Sequence, residues 1–512
     1  MSVDASSPGV APFRVARFGL PLMLSFVLLG CIVIFGAYGY LQQRLHGDIV
    51  TGLRTVGQGG PAWGLYICFD VMFVGFAFSG ISLSALTRIF RIHTLWPVTR
   101  MAEVLAVIAL MMAGVCVIAD LGRPLHGLIN LPLYARTASP FFGTFTLVIG
   151  AGLSASLIYL FLDGRVDAAW WAKHSGARAR LFRFSATGFR NTVEEHHRRR
   201  LVSFGLSLVL LPLMLISFST LGFVFGIQGG RPGWFGALQA PSFVILAAIS
   251  GLGLLLAVAA CVRSMLHLQE CISERVFLWL GSALGVLTMT YLYLLCVDAL
   301  TSRYASSSAQ AAVALELTQG KFAPLFWLMV AGFVLPAILL VDCGLRRKPS
   351  IALAAVCGVL VNVAAVLNRF LVVVPSQTNG QLLPWPDGSY APTWVELSVI
   401  AGVLALGTLM FLIYLQIFPI VPLQALGIST PVQAPAEGHT RRRLRLCATW
   451  FTLLFGMALA AVGLALSARI GTQPQGDPLL PGSPVMFLAG VVCMLASALV
   501  FELFPSAKST AP

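Results

Sequence analysis

From Phe18 to Phe501 the chain alternates apolar stretches of about 20 residues with shorter segments rich in arginine, glycine and proline. The apolar runs are Phe18–Tyr38, Trp63–Thr87, Pro97–Ala119, Phe141–Leu162, Leu201–Phe225 and Ser242–Val262, then Val276–Val297, Phe322–Val341, Ile351–Val374, Trp394–Phe418, Cys447–Leu466 and Pro484–Phe501. Each is long enough to cross the hydrocarbon core, where lipid offers no partner for a backbone N–H or C=O, so each must be a helix. The pattern therefore predicts an all-α, polytopic integral membrane helical bundle of about 12 transmembrane helices. The first run follows Arg14 and Arg17 as the apolar part of a secretory leader would, but it is longer than such a segment and no A-x-A site follows it. It reads as a span.

Composition agrees: 58% of the residues are hydrophobic and 10% charged, where a water-soluble domain carries about a quarter charged residues. A net charge of +14 invites thoughts of nucleic acid, but the basic residues gather in alternate connections. With twelve spans, 24 of the 33 Lys and Arg residues fall on the side of the two termini. Cytoplasmic loops carry that excess, so both termini are expected in the cytoplasm, and no nucleic-acid partner is needed. The longest cytoplasmic connection, Asp163 to Arg200, closes with Glu194-Glu195-His196-His197-Arg198-Arg199-Arg200. It reads as a solvated basic loop, with docking to a partner or to anionic membrane lipid as the other reading. The ten cysteines show no C-x-x-C or other ligand spacing, so neither zinc nor an iron–sulfur cluster is suggested.

Charges inside a bilayer are costly, and each invites a functional explanation. Asp70 lies about 10 Å below the periplasmic end of the second span. Trp63 and Tyr66 precede it at i−7 and i−4, expected on one helix face. An aromatic pair above an acid suits a planar ligand that exchanges protons; an acid satisfied by hydroxyls or water between helices is the plainer account. Glu103 near the cytoplasmic start of the third span, Asp120 at its periplasmic end and Asp70 beside them form a staggered series of carboxylates. Such a series suits a proton pathway, or is three unrelated interfacial acids. In Asp120-Leu121-Gly122-Arg123-Pro124-Leu125-His126, Gly122 and Pro124 end the helix in a rigid turn that gathers an acid, a guanidinium and an imidazole. These are groups that hold a carbonyl and shuttle protons near neutral pH, and equally the parts of a capped helix end. On the same side stand Arg369, Glu396 and Asp298, and on the other His267, Glu270 and Glu274. All eight histidines fall in connections or at helix ends, so axial ligands for an intramembrane haem are not expected.

The stretch from Trp63-Gly64-Leu65-Tyr66 through Ala119-Asp120-Leu121-Gly122-Arg123-Pro124, on to Tyr134-Ala135-Arg136 and Ser139-Pro140-Phe141, resembles the NrfD/PsrC family of polysulfide reductase membrane subunits. Asn368-Arg369 and Tyr390-Ala391-Pro392-Thr393-Trp394-Val395-Glu396 are similar to the late signature of its ten-helix branch, found in alternative complex III and related respiratory complexes. The resemblance implies residues 63–419 as a quinone-interacting core of two four-helix bundles, preceded by a tail and first helix (1–62). A cytoplasmic linker and two extra helices follow (420–512). It implies quinone or quinol as the substrate of a chain with no haem or metal of its own. An iron–sulfur electron-transfer subunit and a catalytic subunit, molybdopterin or multihaem cytochrome, are the implied partners on the periplasmic side. Carried over, Asp120, Arg123 and His126 are catalytic, with Trp63, Tyr66, Asp70, Arg369 and Glu396 binding quinone. Some members are proposed to translocate protons, for which Asp70, Glu103 and Asp120 are the candidate path. Two rivals remain at this point, a twelve-helix secondary transporter and a catalytically silent scaffold subunit. Against the first, the Asp-x-Gly-Arg segment resembles a major-facilitator loop motif but falls after the third span, and the long basic loop follows the fourth.

Overall fold

The computed structural model describes residues 19–54, 61–134, 150–174, 179–187, 189, 191–304, 307–379, 389–422, 439–468 and 482–503. Arg14, Arg17, Arg136, the Ser139-Pro140-Phe141 stretch and the first part of the span expected at Phe141–Leu162 lie outside them. The helices in chain order are α1 (Leu20–His46), α2 (Leu65–Ile89), α3 (Trp96–Asp120), α4 (Pro124–Tyr134), α5 (Leu153–His174), α6 (Ala179–Ala186), α7 (Val193–Gly226) and α8 (Gln239–Met265). Then come α9 (Glu274–Tyr304), α10 (Ser308–Thr318), α11 (Ala323–Arg346), α12 (Ile351–Val373), α13 (Pro375–Thr378), α14 (Trp394–Ile417), α15 (His439–Ala468) and α16 (Ser483–Leu503).

Among the described residues, 11 helices are long and apolar enough to span a bilayer, and they answer to all the predicted runs except Phe141–Leu162, whose described part is the start of α5. The protein is a multi-pass integral membrane protein. Two rings of four helices form its core. In one, α2 packs on α3 and α7, and α5 closes the ring; in the other, α8, α9, α11 and α12 pack in a cycle. The rings join where α2 and α7 meet α8. Helices α1 and α14 form a pair against α3, and α15 with α16 form a second pair against α5 and α7.

Between helices in lipid there is little hydrophobic drive, so close packing through small residues does the work. At Gly36 of α1 an added Cβ would lie 2.8 Å from the Gly402 Cα of α14, so the two backbones touch. This contact lets α1 lie along α14, and α1 runs to His46, about two turns beyond the predicted end. That extension delivers Gln43 to the core, where it is only 1% exposed.

The expectation of a solvated loop from Asp163 to Arg200 is corrected. Helix α5 continues to His174, α6 follows and α7 begins at Val193 behind a Thr192–Glu195 capping box. Asp163, Arg165, Asp167, Arg198 and Arg199 are all buried. The reason is charge matching. Asp163 takes Arg88 at 2.5 Å and Arg199 at 2.9 Å, Arg100 pairs with Asp167, and Arg165 meets Glu502 of α16 at 2.9 Å. Arginines that in the sequence serve as topology markers here hold one end of the helices together.

Candidate functional site

At the opposite end, the C-terminus of α1, the start of α2, the end of α3 and the start of α14 converge. The Asp120 side chain is buried, and its Oδ1 has no hydrogen-bond partner. The cation paired with it is Arg54, in the turn after α1. Nη2 donates to the Asp120 main-chain oxygen at 3.1 Å and stands 3.8 Å from Oδ2, while Nη1 pairs with Asp48. Gln43 ties this group to the core. Its amide donates to Asp48 Oδ1 and to the Ala119 oxygen, both at 3.0 Å, and its Oε1 accepts the Tyr66 hydroxyl at 2.9 Å. Arg44 closes the rim by donating to the carbonyls of Leu121 (3.3 Å) and Gly122 (2.6 Å), satisfying acceptors that the end of α3 leaves open. Asp70, one turn below Tyr66, is buried within electrostatic reach of Asp120.

The other expected residues distribute differently. Arg123 and His126 are exposed, on the turn and on α4, and neither carries the pairing of Asp120. Trp63, Tyr66 and Asp70 do not share one face, because α2 begins only at Leu65 and Trp63 escapes its periodicity. Trp63 instead stacks on Trp234 (5.5 Å between centroids) and meets Phe225 edge-on (5.8 Å), while Tyr66 turns to Gln43. Gln377 of α13 holds this entry, accepting the N–H groups of Ala62 and Trp63 and donating to the Trp63 oxygen. From Phe225 the aromatic row continues to Phe243 (5.4 Å), whose ring lies 4.4 Å beneath the Arg369 guanidinium. Arg369 is 1% exposed, and its Nε and Nη2 have no hydrogen-bond partner. Among the described residues, no ion pair or hydrogen bond joins Arg369 to Asp120.

Glu396 is wholly buried and accepts the Leu65 N–H at 2.7 Å and the Tyr390 hydroxyl at 2.6 Å. Glu103 sits at the far end of α3, held by Arg88 (2.8 Å) and Ser84 (2.5 Å), with Oε2 unpartnered. The histidines keep to helix ends and connections as expected, and no group of three metal-ligating side chains occurs among the described residues. Sequence patterning does not single out Asp48, Arg54, Gln43, Trp234 or Gln377. The first two sit in a short polar turn with nothing to set them apart, and only the extra turns of α1 bring them to Asp120.

The end of the bundle that carries the Asp-Leu-Gly-Arg-Pro turn also carries the buried Asp120 oxygen that has no hydrogen-bond partner. The family model described as polysulphide reductase, NrfD, matches residues 57–379, which include that turn, Arg369 and both four-helix rings. A putative dimethyl sulfoxide reductase membrane subunit from Halobacterium salinarum is 28% identical over 428 residues, covering 78% of this chain and 94% of that one. A selenate reductase subunit from Mesobacillus selenatarsenatis is 23% identical, with 78% and 94% covered. An Hdr-like menaquinol oxidoreductase integral membrane subunit from Archaeoglobus fulgidus is 22% identical, with 78% and 93% covered. With more than half its length matched, and with its fold and motif in agreement, the chain belongs to the NrfD polysulphide reductase family of membrane proteins.

Proposed function

We propose that the protein is the quinone-reactive membrane subunit of a respiratory oxidoreductase complex. It exchanges electrons with an iron–sulfur subunit on the periplasmic side, beyond which lies a molybdopterin or multihaem cytochrome subunit. The observation that carries this reading is the buried Asp120 carboxylate, with one oxygen unpartnered, at a membrane-surface rim lined by Arg54, Gln43 and Tyr66. Quinol oxidation breaks two O–H bonds and releases two electrons, so a site needs a base for the protons and a fixed donor for the carbonyl oxygens. Asp120 supplies the first. Arg369 supplies the second: its free Nε and Nη2 are donors in an apolar surrounding, where a hydrogen bond to an anionic oxygen is strong. The aromatic row from Trp63 to Phe243 suits a planar ring. Arg123 and His126, exposed on the same side, are placed to pass protons to water or to face the partner subunit. The names of the relatives, two reductase subunits and a menaquinol oxidoreductase subunit, fit this assignment. Proton translocation along Asp70, Glu103 and Asp120 extends it. The residues lie on two packed helices that cross the bilayer, and the outermost pair each keep one buried oxygen free.

Asp120→Asn keeps the shape of the side chain and removes proton exchange. In the assembled complex, quinone-linked turnover is expected to fall by about 10²-fold, with the partner subunits still co-purifying. Glu270→Gln, at an exposed position on the other side, is the control and should retain turnover. Full turnover in Asp120→Asn would reduce the Asp-Leu-Gly-Arg-Pro turn to a helix end.

A further inference from the structure

Asp48 and Arg54 precede residue 57, the first that the family model matches, yet they supply the charge at the rim of the site. One guanidinium serves two carboxylates of different exposure: the Asp48 side chain is 15% exposed and that of Asp120 8%, with Arg54 at 38%. The arrangement is fixed from several directions. Gln43 positions Asp48, and Gln43 is itself held by the Ala119 oxygen and the Tyr66 hydroxyl. The Arg54 backbone sits in the left-handed region (φ 54°), with its N–H donating to the Pro61 oxygen at 3.0 Å. A non-glycine residue persists there where its surroundings hold it. Gly122 is needed for the approach, since a Cβ there would lie 3.1 Å from Asp48 Oδ2 and 3.3 Å from Arg54 Nη1. The second observation is the partnerless, buried Asp120 Oδ1, which leaves one side of the carboxylate open to a proton donor.

We propose that Arg54 is a positioning residue for Asp120 and that Asp48 competes for its guanidinium, so that the turn after α1 sets how readily Asp120 takes up and releases a proton. The proposal rests on the reading of Asp120 as the proton-exchanging group of a quinone site. When a quinol O–H bond breaks and the proton forms a carboxyl O–H on Asp120, the charge of Asp120 vanishes and Arg54 is left to Asp48 alone. When that proton leaves to water at the exposed rim, Arg54 is shared again. The electrons pass to the partner subunit and take no part in this exchange. The other ionisable groups around Asp120 are Arg44 of α1, Tyr66 and Asp70 of α2, Cys116 of α3 and Glu396 of α14. None of them bridges two carboxylates at this rim as Arg54 does.

The test uses Asp48→Asn, Arg54→Gln and Arg54→Lys in the whole complex reconstituted in lipid nanodiscs. The activity-independent readout is the carboxylic C=O infrared band that Asp120→Asn removes, followed against pH. Asp48→Asn gives Arg54 wholly to Asp120, so the band should titrate at lower pH. Arg54→Gln should move it to higher pH, each by about one unit, and Arg54→Lys should restore most of the wild-type behaviour. The limb of the pH–rate profile set by Asp120 should move in the same order. A purely structural pair would shift both variants in one direction or neither, and that result overturns the proposal. Opposite shifts of the band without any change in the rate profile would keep the Arg54–Asp48 assignment and sink the quinone reading of Asp120. Should Arg54→Gln fail to assemble, Asp48→Asn decides alone: no shift, or a shift to higher pH, overturns the proposal.

Discussion

The Glu396 carboxylate of α14 accepts the main-chain N–H of Leu65, the first residue of α2, at 2.7 Å. One transmembrane helix thus caps another, with an acceptor set where the first N–H groups of α2 have no partner within the helix. Tyr390 supports the cap through its 2.6 Å bond to the other carboxylate oxygen. The residue that the sequence suggests as a quinone contact therefore has a structural task in this fold, alongside whatever it lends to the ligand.

Glu396→Ala should leave the Tyr390 hydroxyl without its acceptor in a dry interior, at a cost of about 1–3 kcal/mol before relaxation, while the Leu65 N–H keeps the Tyr390 oxygen at 3.1 Å. Glu396→Gln keeps an acceptor and should be much milder. Thermal unfolding of the purified protein in detergent measures both. A Glu396→Ala protein as stable as wild type would show that the cap contributes nothing.

Gly122→Ala places a methyl group against the Asp48–Arg54 pair, at 3.1 and 3.3 Å. The pair must give by a few tenths of an ångström, moving Arg54 relative to Asp120 while both carboxylates stay chemically intact. Turnover is expected to fall about tenfold, less than for loss of the acid itself, since misplacement by a full ångström costs about 10²-fold. Steady-state kinetics on the assembled complex check this, and wild-type rates would show that the pair tolerates displacement.

The spans are legible in the sequence because bilayer thickness and backbone satisfaction act on every residue of a helix at once, and Trp96–Asp120 falls within a residue of its predicted limits. Asp120 and Asp70 are legible too, as acids among apolar residues. What hydropathy does not disclose is how charges pair. Arg88, Arg100 and Arg199 look alike as cytoplasmic markers, and only the fold brings Asp163 and Asp167 to them. Periodicity places Trp63 on a helix face two residues before that helix begins, and Arg54 gives no signal because a polar turn with one arginine has no period.

The orientation implied by the basic residues is open to direct test. A reporter active only in the periplasm should work when fused within the range Thr301 to Gln319 and stay silent after Pro512. Activity at both places, or silence at both, would break the twelve-span scheme.

Glu103 separates proton coupling from quinone chemistry. Its Oε1 is engaged by Arg88 and Ser84, and its Oε2 is free, at the end of α3 away from Asp120. Glu103→Gln leaves Arg88 its second partner, Asp163, so the fold should survive. If the staggered acids carry protons, this variant should keep quinone turnover within about threefold while losing most of the proton translocation seen in vesicles, because a glutamine cannot exchange a proton. Undiminished translocation would exclude Glu103 from the path.

The pair Arg165–Glu502 joins α5 to α16 at 2.9 Å, with the two side chains 4% and 2% exposed. It fastens the last helix of a hairpin that lies beyond the region matched by the family model. Arg165 also donates to the Thr187 hydroxyl at 2.8 Å and faces the Phe189 ring, so its guanidinium is anchored independently of Glu502. Glu502→Ala then strands a fixed, buried cation, and breaking one side of a buried pair costs about 3–5 kcal/mol. Replacing both partners by apolar side chains, Arg165→Met with Glu502→Leu, removes the desolvation cost of both charges and should recover most of the lost stability. Thermal unfolding in detergent gives the ranking: wild type and the double variant close together, Glu502→Gln somewhat lower, Glu502→Ala lowest. If all four unfold together, the hairpin is held by its packing on α5 and α7 and the ion pair adds nothing to it.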